Sequence, residues 1–168
     1  LVFALSLRIQ KMQASTATAV FIIYAALNGV TLSVIFLAYT GASIVSTFFI
    51  CAATFIACSL YGWMTKRDLT SLGGFLFMGL IGIIIATVVN AFFIRSGAMT
   101  MIISYIGVFI FLGLTAYDTQ YIKNMALTQP ADIEAGVMRK GAIIGALKLY
   151  LDFINLFLML LRILGDRR

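Results

Sequence analysis

The sequence predicts an all-α, polytopic membrane bundle, and three observations predict it. Of its 168 residues, 62% are hydrophobic and only 11% charged, with a mean hydropathy of +1.09. An average soluble domain is about 45–50% apolar and about 25% charged, so this composition would leave apolar surface facing water. The apolar residues also fall in runs separated by short polar turns, and about 20 consecutive apolar residues cross the hydrocarbon core. These runs are apolar on both faces, whereas barrel strands alternate apolar and polar over about ten residues. The whole chain, 1–168, reads as a single transmembrane domain.

Leu1 to Leu7 is too short to cross about 30 Å and leads into Arg8 and Lys11. It reads as the stub of a longer helix, in a chain lacking its N-terminal part. The second segment runs over about 17–39 and the third over about 42–64. Only Tyr39-Thr40-Gly41 separates them, so they form an antiparallel hairpin. Lys66-Arg67-Asp68 ends the third segment, the fourth covers about 73–94, and Arg95-Ser96-Gly97 turns the chain into a fifth at about 99–122. The longest polar stretch, Lys123 to Lys140, holds the only proline, Pro130. A sixth segment, about 141–164, precedes Asp166-Arg167-Arg168.

The formal charge of +6 would suggest nucleic acid in a soluble protein, but here the basic residues flank apolar segments and read as topology signals. One side holds Arg8, Lys11, Lys66, Arg67, Lys123, Arg139 and Lys140; the other holds Arg95, Arg162, Arg167 and Arg168. The richer side is expected to be cytoplasmic and the C-terminus outside. The chain has no His, and Cys51 and Cys58 lie in one apolar run, so neither a zinc site nor a disulfide framework is predicted. No cofactor and no nucleic-acid partner are expected. Without a recognisable nucleophile and base, neither is an enzyme.

Four of the six acidic residues lie in loops or at the tail; the other two are Asp118 and Asp152. A carboxylate at the bilayer centre costs about 2.5–3.5 kcal/mol, so it normally faces the bundle interior, has a partner and marks a function. The two segments that carry them are consecutive and antiparallel, which permits an approach. Lys148, Asp152 and Asn155 share one face of the sixth segment by their i, i+4 and i, i+3 spacings. Tyr117 and Tyr121 put hydroxyl groups beside Asp118. Paired carboxylates behave as one coupled unit that shares a proton. Protonated, they bridge two helices by a hydrogen bond. Deprotonated, they repel and offer oxygen ligands to a hard cation such as calcium. The structural alternative leaves Asp152 neutralised by Lys148 within its own helix and Asp118 wetted from the helix end. At about 1.5 Å per residue, Asp152 lies roughly 16 Å into its segment and Asp118 only about 6 Å from the end of its own. Contact therefore requires tilt, or a sixth helix that starts in the loop.

Weaker features complete the reading. Gly79 with Gly82, Gly107 with Gly113, and Gly141 with Gly145 allow close helix approach. Asn28 and Asn90 are expected to hydrogen-bond across helices. Tyr39, Tyr61 and Trp63 sit at span ends, as interfacial aromatics do.

Residues 149–157 (Leu-Tyr-Leu-Asp-Phe-Ile-Asn-Leu-Phe) and 160–165 (Leu-Leu-Arg-Ile-Leu-Gly) resemble the last-helix signature of the Bax inhibitor, or transmembrane Bax inhibitor motif, family. Ala116-Tyr117-Asp118-Thr119-Gln120 resembles its preceding-helix motif. Residues 27–33, 39–43 and 65–69 are similar to its bacterial branch. The resemblance implies a seven-helix fold with the last helix central and the first one to two helices missing here. It implies a pH-sensitive calcium leak channel, sensed by a pair of aspartates that match Asp118 and Asp152, with those carboxylates as calcium contacts. It implies too a basic residue near the end of the second helix that interacts with the sensor; Arg8 is the nearest match and Lys11 its rival. The expected location is a multi-pass bacterial inner membrane, with calcium, protons and other membrane proteins as partners.

Two further classes fit the same residues. A proton-coupled carrier could use both carboxylates, although carriers favour inverted repeats and Gly- or Pro-broken helices. A regulatory protein could act by binding partner membrane helices. An intramembrane diaspartyl protease fits less well, because neither aspartate follows the Gly-Xaa-Gly that such enzymes carry.

Overall fold

The computed structural model describes residues 11–130 and 134–168. The expected stub at 1–7 and Arg8 lie outside them. Among the described residues, five helices are long and apolar enough to cross a membrane. The first span comprises α1 (Ala14–Leu32) and a single further turn, α2 (Ile35–Ala38). Between them the Ser33 amide donates to the carbonyls of Gly29 and Val30, at 3.1 and 3.2 Å, and the Ser33 hydroxyl donates to Val30 as well. Hydroxyl back-bonding of this kind bends a helix without ending the span.

An extended Tyr39–Thr40 step leads into α3 (Gly41–Met64). Thr40 sets that start by accepting a hydrogen bond from the Ser43 amide, as an N-cap does. Then follow α4 (Thr70–Val89), a π-helical turn over Asn90–Ile94, α5 (Gly97–Thr128) and α6 (Ala135–Leu164). The last two have 32 and 30 residues, about 45–48 Å at 1.5 Å per residue, well beyond a hydrocarbon core of about 30 Å. Their polar ends, taken as loop from hydropathy, are helix that projects past it. Hydropathy marks what lies in lipid, not where the helical hydrogen bonds stop.

The last helix, α6, packs against α1, α3 and α5, while α4 leans on α5. The centre is built from Phe111 and Leu114 of α5, Leu156, Phe157 and Leu161 of α6, Cys51 of α3 and Leu76 of α4. In lipid, packing and polar contacts rather than the hydrophobic effect hold helices together. The small residues show where: a Cβ on Gly62 of α3 would fall on the Ala116 carbonyl of α5, and one on Gly113 would meet Leu76 at 2.7 Å. Gly79 meets Ile110 in the same way, but Gly82, expected beside it, has nothing within 4 Å. The outer surface is apolar, with Phe93, Leu37, Phe75 and Phe109 largely exposed, as lipid-facing side chains are.

Two polar devices close one end of the bundle. The tail after α6 lies against the α2–α3 step: the Thr40 amide donates to Asp166, the Arg168 amide to Ala38, and the Asp166 amide to the Ser43 hydroxyl at 2.9 Å. Asn90 organises the α4–α5 turn, donating to the Ser96 carbonyl and the Thr100 hydroxyl and accepting from the Ser96 amide. The Thr100 bond, at 2.8 Å, is the expected bond across two spans, and the two Ser96 bonds hold the turn between them. Asn28 also reaches across, donating to the Tyr150 hydroxyl of α6 at 3.2 Å.

Candidate functional site

The site lies where α5 and α6 run antiparallel. Their register is set by small residues: a Cβ on Gly145 would meet Ile122 at 3.0 Å, one on Gly141 would meet Met125, and one on Gly107 would meet Met159. That register places Lys148 level with Asp118 and Asp152 one turn deeper. The Lys148 ammonium lies 3.0 Å from Asp118 Oδ1. It also sits 4.4 Å from the centroid of the Tyr121 ring, within cation–π range. Tyr117 stacks on Tyr121 at 6.5 Å between centroids. Gly73 of α4 makes room for Tyr117, because a Cβ there would sit 2.6 Å from its ring.

Asp152 is 5% exposed. Its carboxyl lies within electrostatic reach of that of Asp118, both line one cleft, and its Oδ2 is fully buried with no hydrogen-bond partner among the described residues. The structure thus places the two aspartates on facing helices of one cleft, one helical turn apart in depth. The structural alternative paired Lys148 with Asp152 along α6; the Lys148 hydrogen bond goes across to Asp118, and Asp152 lies within the electrostatic reach of the same ammonium. Asn155 shares the face, but its amide donates to the Leu151 carbonyl of its own helix. Arg8, the expected basic partner, lies outside the described residues, so the one cation seen on the pair is Lys148.

A cleft of about 660 Å³ opens beside these groups. Asp118, Lys148, Asp152 and Asn155 line one part, and Phe77, Leu80, Ile83 and Phe111 form apolar walls from α4 and α5. Arg162, counted from sequence only as a topology signal, also lines it. Among the described residues no group of three or more His, Cys, Asp or Glu side chains could hold a metal ion. Two carboxylates supply too few of the six to eight oxygens that calcium takes.

The support for this end of α5 includes a residue that sequence reasoning passed over. The buried Gln120 side chain accepts from the Leu69 amide and donates to the Arg67 carbonyl, each at 2.8 Å. It thereby clamps the α3–α4 connection two residues from Asp118. Lys123 adds a second clamp, donating to the Trp63 carbonyl at 2.6 Å and lying over the Trp63 ring. Within that connection Asp68 accepts from the Thr70 amide at 2.9 Å. Hydrogen bonding from the Thr70 hydroxyl and then from that amide holds its carboxyl below the usual value of 3.8.

Comparison with known proteins follows the whole chain. The family model described as inhibitor of apoptosis-promoting Bax1 matches residues 1–168. The chain is 56% identical to the inner membrane protein YbhL of Escherichia coli strain K12 over 168 residues, which is all of this chain and 71% of that protein. It is 54% identical, over the same shares, to an uncharacterized protein of Borreliella burgdorferi. It is 52% identical over 158 residues to the uncharacterized protein RP147 of Rickettsia prowazekii, covering 94% of this chain and 65% of that one.

Proposed function

Because the chain belongs to the Bax inhibitor family, a family of multi-pass membrane proteins whose relative YbhL sits in the bacterial inner membrane, we propose that it is a proton-gated calcium leak in which Asp118 and Asp152 form the gate. The reading is of a channel and not of an enzyme. The observation that carries it is the meeting of two carboxyl groups from adjacent helices, with one buried oxygen left over. Two carboxylates and the Lys148 ammonium sum to one negative charge. A single shared proton brings the cluster to neutrality and lets one carboxyl donate to the other, tying α5 to α6. Without that proton the carboxylates repel and their oxygens face the cleft, where a hard cation finds the ligand type it prefers. Calcium is the cargo, and the α3–α4 connection with Lys66 and Arg67 and the adjoining end of α5 with Lys123 face the cytoplasm on this reading.

The test is calcium flux into proteoliposomes containing the full chain, measured against pH, with Asp118→Asn and Asp152→Asn alongside. Flux should be greater at alkaline than at acidic pH, and either substitution should flatten that response. No flux, or a pH response that survives both changes, moves the reading to a regulatory protein that binds partner membrane helices.

A further inference from the structure

In the gate just described the lysine supplies one positive charge to the balance and nothing more, which leaves its exact position unexplained. Its position is specific. The Lys148 side chain is 37% exposed, its partner carboxyl on Asp118 only 10%. The ammonium thus lies on the accessible side of the carboxylate and screens it. Asp152 lies beside the same ammonium, which draws on both carboxylates. A compact ammonium on a four-carbon stem behaves as a mobile point charge. It is also already over a second electron-rich surface, the Tyr121 ring at 4.4 Å.

We propose that Lys148 is a tethered competitor: its ammonium fills the cation place at Asp118 in the resting protein, a divalent cation takes that place only by displacing it, and Tyr121 receives it when displaced. The inference rests on the proposed cation path through this cleft. Physically, the lysine lowers the affinity of the carboxylate pair for divalent cations. Bound cations therefore leave readily, which conduction requires of any site along a path. An ion pair that merely bolts α5 to α6 would have a different signature. Its loss would loosen the protein and leave cation affinity unchanged or weaker.

The experiment measures binding of Mn²⁺, followed by electron paramagnetic resonance, to the full chain in lipid nanodiscs, with calcium flux recorded in parallel. Lys148→Met should bind Mn²⁺ about tenfold more tightly than the unsubstituted protein. Adding Asp118→Asn should erase the gain. Tyr121→Leu, which removes the second seat and keeps the lysine, should weaken Mn²⁺ binding. Unchanged or weaker Mn²⁺ binding in Lys148→Met would overturn the proposal. Should that variant not fold, Lys148→Gln keeps a hydrogen-bond donor to Asp118 without the charge and is judged by the same criterion. The two readings fail separately. Tighter Mn²⁺ binding without calcium flux in any variant removes the channel and keeps the competitor. Flux with a pH response but no gain on losing the lysine removes only the competitor.

Discussion

Lys148 crosses from α6 to Asp118 on α5, its ammonium 3.0 Å from Oδ1, with Asp152 of its own helix within reach of the same charge. The pair therefore joins two spans at the place where their carboxyls meet. Removing one member of a buried ion pair leaves an uncompensated charge, whereas removing both is often close to neutral. Lys148 is partly accessible, which reduces the effect. We expect Asp118→Asn or Lys148→Met alone to destabilise the protein by about 1–3 kcal/mol, and the double substitution by less than the sum. Thermal unfolding of the four proteins in one detergent measures the coupling. Additive losses would mean that the contact contributes nothing to holding α5 and α6 together.

Gln120 is the support whose loss should spread furthest along the chain. Its amide satisfies both the Leu69 amide and the Arg67 carbonyl. Gln120→Leu keeps much of the volume and orphans both backbone groups, at a cost of about 1–3 kcal/mol. The change should appear first as faster amide hydrogen exchange at Leu69, while the α4–α5 turn around Asn90 stays protected. Equal loosening at both ends would argue against a local clamp.

Glycines give a paired prediction. At Gly62 a methyl group would land on the Ala116 carbonyl, and backbone cannot give way as a side chain can. Gly62→Ala should cost about 1–3 kcal/mol by overpacking the α3–α5 contact. At Gly82 nothing lies within 4 Å, so Gly82→Ala should stabilise α4 by about 0.5–1 kcal/mol through helix preference alone. Both are read from unfolding midpoints in the same detergent. A loss at Gly82 would reveal a neighbour on that face.

Much of this was legible in the sequence, for identifiable reasons. Asp118 and Asp152 stood out because a carboxylate inside an apolar run is costly wherever it lies. Their meeting was legible only as a permission, since segment ends guessed from hydropathy left them roughly 10 Å apart in depth. The observed register leaves them one helical turn apart, because both helices run on through residues that hydropathy assigns to the loop. The partner of Lys148 could not be chosen from spacing, because i, i+4 allows an intrahelical pair as readily as a cross-helix one. The register of the α5–α6 hairpin decides it, and that depends on which side chain fills the space over Gly145 and Gly107. Gln120 carries no local signal of its role beyond its place in the Ala116–Gln120 motif. Its task depends on the α3–α4 connection folding back over α5, and nothing local in the sequence encodes that.

The connection also supplies a pH prediction outside the membrane. Asp68 is held below its ordinary value of 3.8 by hydrogen bonds from Thr70. A depressed value means that folding favours the carboxylate, so its contribution is present above the ordinary value and is lost as pH falls through the folded one. Because the group is exposed, the effect should be local: acidification, or Asp68→Ala at neutral pH, should speed exchange of the Thr70 amide and fray the first turn of α4. Global stability should be unmoved. A pH-independent Thr70 exchange protection would rule out this cap.

At the opposite end of the bundle, Arg95 is the one described non-glycine residue with a left-handed backbone, at φ 53°. It follows the π-helical turn Asn90–Ile94, and its amide donates to the Asn90 carbonyl. Side chains crowd the backbone in this region and glycine does not. The conformation persists because the Asn90 side chain fixes the following Ser96 from both its amide and its carbonyl. Arg95→Gly should therefore be tolerated, with a change within about 1 kcal/mol. Asn90→Ala should cost about 1–3 kcal/mol by leaving the part-buried Ser96 amide without its acceptor. In the Asn90→Ala background Arg95→Gly should rescue nothing, since the turn has lost its bonds and not merely its ease. Proteolysis by trypsin at Arg95 offers a direct readout: slow in the unsubstituted protein and fast in Asn90→Ala. Equal cleavage of both would mean that the asparagine does not hold the turn closed.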